Sequence, residues 1–269
     1  MGTPRRMKQI DGGGTVTLYE KGLTLIHPFF GEPDRFALLV DNWSQYPQSV
    51  KDKLKIVMVD DCGTPSLKSL ITPSIEEKLK GINLTVYEIQ DDLKHNTPGA
   101  LNLGMMVADT EWILIMDSDC TFLPDAMHDL LEYKPMDEWL YKFDRRRVTE
   151  NEHWVKNERF LPCTMLLRKQ IFLDINGFDE DYTGARSTGY GFFDTDFDYK
   201  IEVSKYHWGR VQDNIVATEW MSDVCGDFVP RTYDEDRINR RLFYDKKEGR
   251  IPRSNEILRF SWKKVYSNE

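Results

Sequence analysis

The chain has 269 residues, 40% of them hydrophobic and 30% charged, and a formal net charge of −9. That length can bury a large core, in one α/β domain or two smaller ones. The negative charge argues against a protein that wraps duplex nucleic acid by neutralising phosphates, though it allows a local basic patch. No apolar run approaches the length that crosses a bilayer. The basic, glycine-containing stretch before Thr15 lacks the apolar segment of a secretory signal. The cysteines, Cys62, Cys120, Cys163 and Cys225, show no CxxC spacing. This argues against a zinc site or a disulfide framework and fits a reducing, cytoplasmic setting. Without a signal, the sequons at Asn42 and Asn83 read as chance matches.

The first half alternates strands and helices. Leu23 to Ile26 reads as a short strand ending at His27-Pro28, and Arg35 to Tyr46 carries apolar residues at helical spacing. Leu54 to Val59 is a second strand ending in Asp60-Asp61. Leu67 to Leu79 is helical in part, divided by Pro73. Ile82 to Ile89 alternates as a third strand, Gly99 to Ala108 is a helix, and Trp112 to Met116 is a fourth strand. This βαβα order predicts an α/β fold with a mostly parallel central sheet and helices on both faces. Right-handed crossovers then bring His27-Pro28, Asp60-Asp61 and Asp117-Ser118-Asp119 to one edge.

The second half is less regular. Strands are expected at Trp139 to Phe143 and Cys163 to Leu167, then a loop with Gly184, Gly189 and Gly191, then an acidic segment opening a helix that runs to about Tyr206. The last forty or so residues show no clear periodicity. The expected organisation is a flexible lead-in over 1–20, one domain over 21–225 and an irregular C-terminal extension over 226–269, packed on the domain or acting as a lid.

The sharpest chemical signal is the apolar run Trp112 to Met116 ending in two carboxylates, Asp117 and Asp119. The carboxyl ends of strands form the ligand crevice of an open α/β sheet. Alternating carboxylates there can hold Mg²⁺ or Mn²⁺, with phosphate oxygens completing the coordination. The competing reading is a turn whose acids cap the helix that follows.

The neighbouring motifs favour the first reading. Leu25-Ile26-His27-Pro28-Phe29, Ile56 to Asp61, Asn96 to Gly104, Asp117-Ser118-Asp119, Gly177-Phe178-Asp179-Glu180 and Gly189 to Asp196 follow one another in the order of family-2-like glycosyltransferases with the Rossmann-like GT-A fold, which the chain resembles over roughly residues 23 to 201. The resemblance implies a metal-dependent, inverting transferase that takes a sugar from a nucleotide-sugar, with UDP-sugars favoured, to a hydroxyl acceptor such as a glycan. It implies that Asp119, with Asp117, holds Mn²⁺ or Mg²⁺. It also places His27, Pro28, Asp60 or Asp61, Asn102 and Asp117 around the nucleotide. Asp194, with Asp196 as the nearest substitute, aligns with the general base. Phe193 departs from the pattern, standing where the family carries a glutamate that helps hold the acceptor. His207 is weighed both as a late metal ligand and as an ordinary histidine. The rival readings are a sugar-phosphate nucleotidylyltransferase, disfavoured by the lack of a glycine cluster after the first strand, and a domain that binds sugar nucleotide or glycan without turnover.

Overall fold

The computed structural model describes residues 8–9, 13–93, 96–148, 155–157, 164–183, 191–211, 215–220 and 233–268. Gly184, Gly189, Cys163 and Cys225 lie outside the described residues. Along the chain come β1 (Lys8–Gln9), α1 (Leu18–Lys21), β2 (Leu23–Phe29), α2 (Pro33–Ser44), α3 (Gln48–Lys51) and β3 (Leu54–Asp61). Then follow α4 (Leu67–Leu70), α5 (Pro73–Lys78), β4 (Asn83–Ile89), α6 (Thr97–Val107), β5 (Trp112–Ile115), β6 (Cys120–Thr121) and α7 (Pro124–Glu132). The second half contains β7 (Trp139–Lys142), β8 (Asp144–Val148), β9 (Val155–Asn157), β10 (Met165–Arg168), α8 (Lys169–Asp174), α9 (Phe193–Glu202), β11 (His207–Arg210), β12 (Val216–Trp220), α10 (Tyr233–Lys247) and β13 (Trp262–Ser267).

Among the described residues the main sheet runs β1-β11-β7-β10-β5-β2-β3-β4-β13. The pairs β5–β2, β2–β3 and β3–β4 are parallel, as the alternation predicts. A parallel centre is covered on both faces, which is why β2 and β3 are buried at nearly every position. Their side chains still divide by the period of two. Leu25, Ile56, Met58 and Leu114 join the core under α2, with Phe36, Leu39, Val40 and Trp43. Ile26, Val57, Val59, Ile113 and Ile115 join the opposite core, with Leu101 and Leu103 of α6. Helix α6 lies close on this face because Gly104 has no side chain; a Cβ there would sit 2.5 Å from Ile26 Cγ2.

The lead-in is tied down where it is described: β1 pairs with β11 and Leu18 is fully buried. The tail also departs from the expected irregularity. α10 packs on the second half, and β13 adds antiparallel to β4 as the last strand of the main sheet. A smaller sheet, β6-β12-β8-β9, stands beside the end of β5. No described helix is long and apolar enough to cross a membrane.

Candidate active site

The register of the central strands sets Ile26 beside both Val57 and Ile115. His27-Pro28, Asp60-Asp61 and Asp117-Ser118-Asp119 therefore leave the sheet at the same, carboxyl edge, as expected. His27 is buried and its Nδ1 donates to the Asp117 carbonyl at 3.2 Å. Burial lowers its pKa to about 4, so the ring is neutral and the carbonyl fixes the proton on Nδ1. Asp117 and Cys120 close a tight turn through Cys120 N–H to Asp117 O at 3.0 Å. The alternative role of these acids fails, because the N-cap of α7 is Leu123 and has no side-chain capping bond.

Both carboxyl groups of this turn are pushed up. Asp117 rises to about 8, first through burial, then through the charges of Asp119, Asp194 and Glu219, opposed by Arg35. Asp119 rises through burial, while the Cys120 thiol donates to its Oδ1 at 3.1 Å and Arg35 opposes the rise. Arg35 is held by Glu32 at 2.6 Å, and Glu32 accepts from Ser118 Oγ at 3.0 Å.

Glu219 was not legible in the sequence. Strand β12 pairs antiparallel with β6, setting Glu219 opposite Cys120, and Trp220 N–H donates to the Asp119 carbonyl at 2.9 Å. Its carboxylate bridges to Arg145 on β8 at 3.0 Å. The only sequence signal was an acid inside a short, mostly apolar run.

At the end of β3 the two acids differ. Asp60 accepts from Gly63 N–H at 2.8 Å and Leu67 N–H at 2.7 Å, so both its oxygens close the loop behind the strand. Asp61 accepts from Asn96 N–H at 3.0 Å through Oδ2, and its buried Oδ1 has no hydrogen-bond partner among the described residues. Burial lifts Asp61 to about 7.

On the facing side, Asp194 stands in the first turn of α9, and its charge reaches Asp117. Its Oδ1 accepts from Thr195 N–H at 2.8 Å.

Three expectations are corrected by this geometry. Asp196 is fully buried and ion-paired to Arg253 at 3.1 Å, because two helical positions turn it away from the face that carries Asp194. Asn102 is buried, donating to Phe178 O at 2.9 Å and Glu180 Oε1 at 2.8 Å and accepting from Phe178 N–H at 2.8 Å; it joins α6 to the Gly177–Glu180 loop. His207 opens β11, which runs parallel to β7 with His207 beside Trp139. Lys142 of β7 is level with Met165 of β10 and thus with Ile115, so His207 is at the opposite edge from Asp119.

The family model of glycosyl transferase family 2 matches residues 24–187, more than half of the chain. The chain belongs to glycosyl transferase family 2. None of the curated protein sequences compared with it matches. Among solved structures it is similar to the mannosyltransferase PcManGT from Pyrobaculum calidifontis in complex with GDP-Man and Mn²⁺, with a TM-score of 0.61 at 20% identity, over 93% of this chain and 69% of that one. S. aureus TarS 1-349 in complex with UDP-GlcNAc gives 0.56 at 17% identity, over 77% and 62%. GalNAc-T7 with UDP, GalNAc and Mn²⁺ gives 0.55 at 11% identity, over 88% and 52%. The chain thus spans less than two thirds of the TarS fragment and about half of the GalNAc-T7 chain. At these identities the likeness carries the fold, a GT-A-type α/β architecture.

In this glycosyltransferase the residues that fit a divalent cation are Asp117 and Asp119. They offer hard oxygen donors, half-buried and mutually repelling, and a cation would restore their ionised forms. Among the described residues no set of three or more His, Cys, Asp or Glu forms a cation cage.

Proposed function

We propose that this family-2 glycosyltransferase moves a sugar from a nucleotide-sugar, with UDP-sugars favoured, to a hydroxyl acceptor with inversion. One observation carries the reading: Asp194 at the start of α9 and Asp117 at the end of β5 are close enough for their charges to interact across the carboxyl edge. In this reading the anomeric carbon stands between a diphosphate leaving on the Asp117 side and a hydroxyl attacking from the Asp194 side.

Asp61 supports the donor assignment. Its unpartnered, buried Oδ1 is an acceptor for a base N–H, and Pro28 lines the neighbouring strand end. His27 acts through its ring, whose Nδ1 holds the backbone of the Asp117 turn in place. A divalent cation at Asp119 and Asp117 would supply Lewis-acid stabilisation of the charge on the departing β-phosphate. Asp194 takes the proton of the acceptor hydroxyl as its oxygen bonds the anomeric carbon, and the bond from that carbon to the diphosphate breaks in the same displacement. Phe193, where the family pattern has a glutamate, packs edge-on against Phe178 at 5.8 Å. Acceptor recognition consequently relies on other groups.

The test is a thermal-shift panel of UDP- and GDP-sugars and their nucleoside diphosphates, each with Mn²⁺ and with EDTA. A ligand at one hundred times its Kd adds about 2.7 kcal/mol. Stabilisation by uridine diphosphates that needs Mn²⁺ supports the reading; no shift with any of them overturns it in favour of a domain without a donor site.

A further inference from the structure

The base-bearing helix begins in an unusual way. Gly191 and Phe192 both have left-handed backbones, φ +71° and +66°, and Phe192 is the N-cap of α9 without any side-chain capping bond. A phenylalanine in that region is strained and persists only where its surroundings hold it. Those surroundings come from α10, beyond the residues that the family model matches.

Asn239 of α10 is fully buried. Its Nδ2 donates to the Gly191 carbonyl at 2.9 Å and to the Tyr182 carbonyl at 3.1 Å. One amide thus joins two backbone positions on either side of residues 184–190. One helical turn on, the Phe243 ring packs 6.1 Å from Phe192 and 6.1 Å from Tyr199. A third grip comes from Arg253, whose Nε donates to Asp196 at 3.1 Å. Buried Lys246 secures α10 in turn, ion-paired to Asp179 at 2.5 Å and Asp181 at 2.7 Å.

We infer that Asn239 is a positioning residue for Asp194: by holding the Gly191 and Tyr182 carbonyls it fixes the strained start of α9 and with it the direction of the Asp194 carboxylate. The inference rests on the reading of Asp194 as the base. It also assigns α10 an active part in turnover, through the geometry of the acceptor side and not through the nucleotide.

The first experiment needs no substrate. Asn239→Ala is expected to speed hydrogen exchange of the Asp196 to Lys200 amides at least tenfold, leave those of β2, β3 and β5 unchanged, and keep a cooperative melt; Asn239→Gln, which retains the amide donor, recovers part of the protection. Unchanged exchange in α9, or a uniform rise over the central strands, overturns the positioning role. The second experiment follows nucleoside diphosphate release from UDP- and GDP-sugars with Mn²⁺. Asn239→Ala should lower release tenfold or more at an unaltered Kd for UDP with Mn²⁺, and should add nothing in an Asp194→Asn background. A full further loss in that background overturns the inference. If Asp194→Asn alone turns over like the native chain, the base assignment falls, and the exchange result still reports whether Asn239 holds α9.

Discussion

His27 Nδ1 donates to the Asp117 carbonyl at 3.2 Å, so the end of β2 holds the turn on which both carboxylates of the motif stand. The bond crosses between adjacent parallel strands and ties the fold's centre to its reactive edge. The burial of His27 at this position, which outweighs the bond's opposing effect, makes stability depend on pH.

His27 is held near a pKa of about 4 by burial, against an ordinary value of 6.5. The unfolded chain therefore takes up a proton before the folded one does. Stability is full above pH 6.5 and falls as pH drops towards 4, by roughly 3 kcal/mol across the window. Urea midpoints at pH 7 and pH 5 for the native chain and for His27→Asn test this. The variant should lose the pH dependence of that one group, and an identical slope in both would show that His27 does not carry it.

Asp61 behaves in the opposite sense. Its folded pKa of about 7 lies above the ordinary 3.8, so the folded state holds the proton longer and stability falls as pH rises between those values. Asp61→Asn keeps an acceptor for Asn96 N–H and removes the buried charge. We expect it to raise stability at pH 8 by about 1–3 kcal/mol, with little effect at pH 4. In the same variant UDP should bind at least tenfold more weakly, read by calorimetry in Mn²⁺.

Asp119→Ala should abolish Mn²⁺-dependent binding of nucleoside diphosphates while leaving the melting temperature of the free protein unchanged or higher, since it removes one of two repelling carboxylates. Metal removal with EDTA should reproduce the binding loss in the native chain. Retained Mn²⁺-dependent binding in Asp119→Ala would be fatal to the metal assignment.

Asp194 and Asp196 should separate cleanly. Asp194→Asn is expected to melt like the native protein, bind donor and lose at least a hundredfold in turnover. Asp196→Ala leaves Arg253 and buried Lys200 without their carboxylate and should cost roughly 3 kcal/mol in stability. Denaturation and turnover measured on both variants decide the matter. A stable, inactive Asp196→Ala beside an active Asp194→Asn would reverse the assignment.

The strand ends were legible because central parallel strands are uniformly apolar until they reach the ligand edge, so Asp60-Asp61 and Asp117 to Asp119 stood out against β3 and β5. The choice between Asp60 and Asp61 was not, because it depends on loop amides of Gly63, Leu67 and Asn96 that no spacing rule supplies. The sequence left His207 between two readings because nothing in its neighbourhood marks the first residue of a strand beside Trp139, at the edge away from Asp119. Asn102 fits the family pattern, yet its amide is used between α6 and the Phe178–Glu180 backbone and side chain. Glu219 and β13 were hidden for a common reason. A two-residue partner strand and an outermost strand that mixes lysine, aromatic and serine residues carry almost no hydrophobic periodicity.

The pairing of β13 with β4 bears on how the protein is made. Trp262–Ser267 covers the outer edge of a parallel sheet whose other central strands are complete by residue 115. Throughout translation of the intervening residues β4 presents open backbone donors and acceptors, the kind of edge that templates association with another chain. A chain interrupted anywhere before residue 262 thus leaves a sheet with an unsealed side, and β13 is the strand that closes it.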